Sequence, residues 1–188
     1  LGKNIMPKEY KLISLDTSST ISGYSVFSSG LYKYSGVFDY SKKSYKEQPC
    51  DEDKLNKMVL SILSLLDKEK PGTVVIEMTV VERNAKTQRL LSEIVGSVRG
   101  WAYINNAEFV EYRPSVWRKL ICGIKKIPIK RDACKAWSVG LLQDKIVGID
   151  DNEADSVLIG IARFIDLLGG SFEYWCANMN IQQERKAG

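Results

Sequence analysis

The chain has 188 residues, a formal net charge of +4, 44% hydrophobic and 27% charged residues, and no histidine. Those fractions describe an ordinary globular protein of one domain, and the lack of histidine excludes Ser-His and Cys-His catalysis and the common histidine-rich zinc sites. The mild positive charge permits a nucleic-acid partner without arguing for one.

Residues 11–16 and 22–28 read as two apolar strands, with the TSST turn and Gly23 suggesting a hairpin, and LYKYSGVF at 31–38 reads as a third strand. The polar stretch DYSKKSYKEQPCDEDK leads into an amphipathic helix over 54–68, where Leu55, Met58, Val59, Ile62, Leu63, Leu65 and Leu66 follow i, i+3, i+4 spacing. Pro71-Gly72 ends it. TVVIEM at 73–78 is a short β-branched run bounded by breakers, as in a buried parallel strand. A helix is predicted over 86–104, a strand over 109–114 closed by Pro114, and helices over 115–122 and 130–143 around the basic turn GIKKIPIK. The last helix starts in DDNEADSVLIGIARFIDLL, with Asp150 as N-cap and Glu153 as its capping-box partner.

The order predicts an α/β fold, a mixed five-stranded sheet of three antiparallel strands followed by parallel strands, flanked by helices. Residues 1–10 form an N-terminal extension, 11–168 the domain, and 169–188, after Gly169-Gly170, a peripheral tail. Cys50, Cys122, Cys134 and Cys176 contain no CxxC pair. No run reaches the roughly eighteen apolar residues of a membrane span, and LGKNIMPKEYK has no signal-type apolar core, so a cytoplasmic protein is expected.

Three carboxylates stand out. Asp16 closes the first strand, Glu77 closes the strand beside it, and Asp155 lies near the start of the last helix, with Asp151 one turn earlier. Alone, each has a plainer role: Asp16 in an Asx turn, Glu77 facing solvent on an edge strand, Asp155 favoured by the helix dipole. Together they put acidic groups around one point, where they repel each other. A hard divalent cation removes that penalty, and an all-oxygen set selects Mg²⁺ or Mn²⁺. Two such ions about 4 Å apart suit phosphodiester hydrolysis.

LDTSSTISGYSVF, VVIEM, EYRPSVWRKLICG…IKRDACK and DNEADSVLIGIA, in this order and at these spacings over residues 11–168, resemble the RuvC family of Holliday-junction resolvases. The resemblance implies a ribonuclease H-like fold and a homodimeric, Mg²⁺-dependent endonuclease with two ions per site that nicks branched DNA symmetrically. Asp16, Glu77 and Asp155 match the family's catalytic carboxylates. The fourth carboxylate, three residues before the last, falls here on Asn152. Helical geometry puts Asp151 on the face of Asp155 and Glu153 nearly opposite, so Asp151 is the first choice, Asn152 a neutral alternative and Glu153 the third.

The segment from Arg113 to Lys135 is basic, and Arg118, Lys119, Lys125, Lys126, Lys130 and Arg131 are expected to contact DNA phosphates, although a solvated basic face is the plainer reading. By family position Arg118 and Lys130 fall where the resolvases have lysines near the scissile phosphate. The family's aromatic residue after its glutamate is matched by Val80, which cannot stack on a base, so selection of several branched forms, as in a phage-type enzyme, is expected. Ser18 and Ser19 read as turn residues. Trp101, Tyr103, Tyr112, Trp117 and Trp137 read as core or dimer-interface positions.

The sequence thus predicts a structure-selective endodeoxyribonuclease acting on four-way junctions and other branched DNA. A catalytically silent ribonuclease H-like DNA-binding protein is the alternative. An actin or sugar-kinase fold also opens on an acidic hairpin, but needs two domains and glycine-rich phosphate loops that this chain lacks.

Overall fold

The computed structural model describes residues 10–41, 50–78, 85–123 and 130–179. Strands β1 (Lys11–Asp16), β2 (Ile21–Ser28) and β3 (Leu31–Asp39) form an antiparallel meander. Strands β4 (Thr73–Glu77) and β5 (Glu108–Tyr112) add in parallel on the other side of β1, giving the order β3-β2-β1-β4-β5. The helices are α1 (Asp51–Glu69), α2 (Ala85–Ile104), α3 (Pro114–Cys122), α4 (Arg131–Leu142), α5 (Asp151–Leu168) and α6 (Phe172–Asn178). This is the mixed five-stranded α/β sheet expected from the pattern. Pro114 opens α3 rather than closing β5, and at a first helical position its missing N–H removes no helical bond.

Successive side chains of a strand face opposite sides of the sheet, and both sides are covered. On one side Ile13, Leu15, Val74 and Ile76 meet Met58, Ile62 and Leu66 of α1 and Leu90, Ile94 and Val98 of α2. On the other, Leu12, Phe27 and Val75 meet α3, α5 and α6. Each large aliphatic side chain buried here gains roughly 1.5–3 kcal/mol.

Helix α5 is the centre of the second layer. All twelve residues from Ala154 to Ile165 are buried, the composition of a helix surrounded on every side. It lies unusually close to the sheet. A Cβ on Gly23 would come 2.0 Å from the carbonyl oxygen of Asn152, and one on Gly160 would come 2.3 Å from the ring of Phe27. The Ser14 and Ser25 hydroxyls share a 2.6 Å hydrogen bond and lie 2.8 and 3.1 Å from the Ser156 carbonyl oxygen. These contacts fix the rotation and depth of α5 against β1 and β2.

Packing continues past the expected boundary at 168. Phe172, Trp175, Cys176 and Met179 are buried in the α5 layer, Trp175 lies 5.4 Å from the Phe164 ring, and the Met179 carbonyl accepts the Tyr32 N–H at 3.1 Å. No described helix is long and apolar enough to cross a membrane.

Candidate active site

Strand parity decides where the carboxylates point. Asp16 follows Leu12 and Ser14 on the α5 side of β1, and Glu77 follows Val75 on the same side of β4. Leu15 pairs with Ile76 across the parallel ladder, so Asp16 and Glu77 leave the sheet side by side at its carboxyl end. Asp155 faces them from α5, only 5% exposed. The three line one polar cavity of about 540 Å³, together with residues 17–20 of the β1–β2 turn, Thr87 and Leu91 of α2, Arg118, Lys135 and Asn152.

The electrostatics follow from that convergence. Burial pushes the Asp16 carboxyl well above the usual carboxylate range, and the charges of Glu77 and Asp155 push it further, against Lys135 and Arg118. Burial also raises Asp155, opposed by a hydrogen bond from the Ser138 hydroxyl and by Arg118 and Lys135. The buried Trp117 indole N–H donates to Glu77 Oε2 at 2.6 Å.

The three candidates for the fourth position separate clearly. Asp151 lies one turn before Asp155, but its Oδ2 accepts from Lys135 Nζ at 2.6 Å and its Oδ1 from Asn152 Nδ2 at 3.0 Å. Asn152 lines the cavity. Glu153 points away, with Oε1 accepting from the Ser35 hydroxyl of β3 at 2.6 Å. The Asp150 cap forms as expected, accepting the Glu153 N–H at 2.8 Å, while the Glu153 carboxylate is taken by Ser35.

The donor set is oxygen throughout, which suits a hard divalent cation. As the side chains stand, no three acidic or cysteine side chains among the described residues close into a metal cage. Glu77 and Asp155 nevertheless repel Asp16 across one polar cavity, and a divalent cation relieves that repulsion. The Thr17 hydroxyl and Arg118 Nε are buried at this end of the sheet without a hydrogen-bond partner among the described residues. They add unused donors to the site.

No protein-family model matches the sequence, and no curated protein matches it by sequence. Solved structures do match in three dimensions. Thermus thermophilus RuvC in complex with a Holliday junction substrate aligns with 85% of this chain and 96% of its own, at a TM-score of 0.63 and 15% identity. Fowlpox virus resolvase, in complex with substrate Holliday junction DNA, aligns with 84% of this chain and 99% of its own, at 0.56 and 17%. The yeast mitochondrial Holliday junction resolvase Ydc2 aligns with 94% and 82%, at 0.50 and 15%. The chain has the ribonuclease H-like fold of the Holliday-junction resolvases.

On this resolvase fold the expected DNA-binding residues divide. Arg118 lines the cavity and packs its guanidinium 4.8 Å from the centre of the Trp117 ring. Lys119, next on α3, is not on the cavity wall, and Lys130 caps α4 in an exposed position. Arg131 opens α4; Lys125, Lys126 and Val80 lie outside the described residues. The turn reading of Ser18 holds, since its hydroxyl donates to the Ile21 carbonyl at 2.5 Å and accepts the Ile21 N–H at 2.9 Å. Trp101, Tyr112 and Trp117 are buried, whereas Tyr103 is 85% exposed and outside the core.

Lys135, which only closes the basic segment in the sequence, Trp117, which reads there as a core or interface position, and Ser138, which no motif singles out, all belong to the site. A signal existed for Ser138: it lies on the buried stripe of α4 between Cys134 and Leu142 at i, i+4, i+8 spacing, where a hydroxyl needs a partner.

Proposed function

We propose that this protein is a divalent-cation-dependent endodeoxyribonuclease that resolves four-way DNA junctions, and other branched forms, by paired phosphodiester hydrolysis as a homodimer. The observation that carries the reading is the convergence of Asp16, Glu77 and Asp155 on one polar cavity beside Arg118 and Lys135. Two of the solved structures with this fold are described as complexes with Holliday junction DNA, which supports the substrate class.

In this reading Asp16, Glu77 and Asp155 hold Mg²⁺, or Mn²⁺ in its place, and a bound ion supplies Lewis acidity to the hydrolysis. Trp117 and Ser138 hold Glu77 and Asp155 in fixed orientations through the hydrogen bonds described above. Arg118 meets the phosphate, its planar donor fork already stacked on Trp117. Lys119, Lys125, Lys126, Lys130 and Arg131 add phosphate contacts, so binding weakens steeply with salt.

The test is nicking of an end-labelled immobile four-way junction, a Y-fork and a linear duplex with Mg²⁺, Mn²⁺ or EDTA, with Asp16→Asn alongside. Metal-dependent paired nicks in the junction, lost in the variant, are expected. Equal cutting of junction and fork makes it a general branch nuclease. Retardation of the junction in a gel without any cutting makes it a silent binding protein and refutes the catalytic reading.

A further inference from the structure

Lys135 binds both Asp151 and Asn152, the first two candidates for a fourth ligand. Its Nζ is 2.6 Å from Asp151 Oδ2 and 3.2 Å from Asn152 Oδ1, and Asn152 Nδ2 closes the ring by donating to Asp151 Oδ1 at 3.0 Å. Both Asp151 oxygens are therefore engaged, and Asp151 is absent from the cavity wall, whereas Lys135 and Asn152 form part of it. An ammonium has three donors; two are used here, and one is left for a ligand in the cavity. The Lys135 charge also acts on both Asp16 and Asp155.

The balance of charge points the same way. Asp16, Glu77, Asp155 and Asp151 face one guanidinium and one ammonium, and the remaining negative charge is what a single divalent cation cancels. A second ion would have to displace Lys135 from Asp151 or stand beside it, with like charges opposed across a short distance.

From this we propose that Lys135 takes the place of a second cation: the site holds one divalent ion, and the Lys135 ammonium supplies the other positive charge to a phosphate oxygen. Asp151 is then the counter-ion that holds Lys135, not a metal ligand. The inference rests on the nuclease reading above and replaces the two-ion arrangement expected from the sequence.

The experiment counts Mn²⁺. Bound Mn²⁺ is measured on the full chain by electron paramagnetic resonance titration, and the order of single-turnover junction nicking in free Mn²⁺ is measured in parallel. One ion per chain and first-order dependence are expected for the parent and for Lys135→Arg. In Lys135→Ala, which frees Asp151, the count should rise to two and the order toward second, with nicking slower at limiting Mn²⁺. Two ions or second-order dependence in the parent overturn the proposal and leave the nuclease reading standing, as does a count that stays at one in a folded Lys135→Ala. No bound Mn²⁺ and no nicking overturn both. Should Lys135→Ala fail to fold, the parent's count and order decide.

Discussion

Asp16 carries an electrostatic cost in the site, and that cost can be measured without DNA. Its carboxyl is raised by burial and by Glu77 and Asp155. A raised folded-state pKa favours the folded chain at low pH, and that favour is lost as pH rises through the folded value. In EDTA, the contribution of Asp16 to stability should therefore fall as pH rises through its folded-state value, which the difference between the parent and Asp16→Asn isolates. Asp16→Asn should be the more stable form at pH 7, because the amide carries no charge to bury beside Glu77 and Asp155, and Mg²⁺ should raise the melting temperature of the parent alone. Calorimetric melting of both proteins with and without the ion checks this. Trp117 makes the complementary case. Trp117→Phe keeps the ring in the core and removes the N–H donated to Glu77. A hydrogen bond to a charged group contributes about 1.5–3 kcal/mol, so nicking should slow by roughly ten- to hundredfold while junction affinity in gel retardation stays unchanged.

At the level of elements, the site depends on how closely α5 approaches β2, and two glycines mark opposite cases. Gly23 pairs with Asp16 across β1 and β2 and leaves room for the Asn152 carbonyl. In Gly23→Ala the start of α5 must move, and overpacking of this kind costs about 1–3 kcal/mol. Denaturant melts should show that loss, and nicking should fall with it, because Asp155 moves with the helix. Gly100, exposed in α2 with open space around its Cβ position, should behave oppositely: Gly100→Ala should stabilise by about 1 kcal/mol and leave nicking unchanged. The same elements explain what could be read from the sequence. Asp16, Glu77 and Asp155 were legible because strand ends and a helix face follow from periodicity, and parity alone puts the first two on one side of the sheet. The positions of Lys135, Ser138 and Trp117 depend on how α3 and α4 rotate about their own axes against α5. That rotation is set by contacts such as Trp117–Glu77, 40 residues apart, which no local pattern encodes. Glu153 was read as a capping-box residue for the same reason, since its partner Ser35 is 118 residues away.

Across the whole molecule, the α5 layer is completed by the residues after Gly170. Helix α6 has seven residues, too few for a periodic pattern to stand out, yet it closes the layer over Phe164. Burial of Phe172, Trp175, Cys176 and Met179 gains roughly 1.5–3 kcal/mol for each large side chain, offset by the entropy of ordering the segment. A chain ending at Gly170 should lose a net few kcal/mol in urea unfolding and expose the Phe164 ring, with nicking per folded molecule the least affected. The four indoles are also distributed by layer. Trp101 donates to Asp67 between α1 and α2, Trp175 to the Gly169 carbonyl at the α6 seam, and Trp117 to Glu77, with Trp137 beside it at 6.5 Å. Intrinsic fluorescence of single-tryptophan variants would thus report separately on either face of the sheet, and the emission of Trp117 should shift when an ion draws charge from Glu77, giving an optical readout of metal arrival without any attached dye.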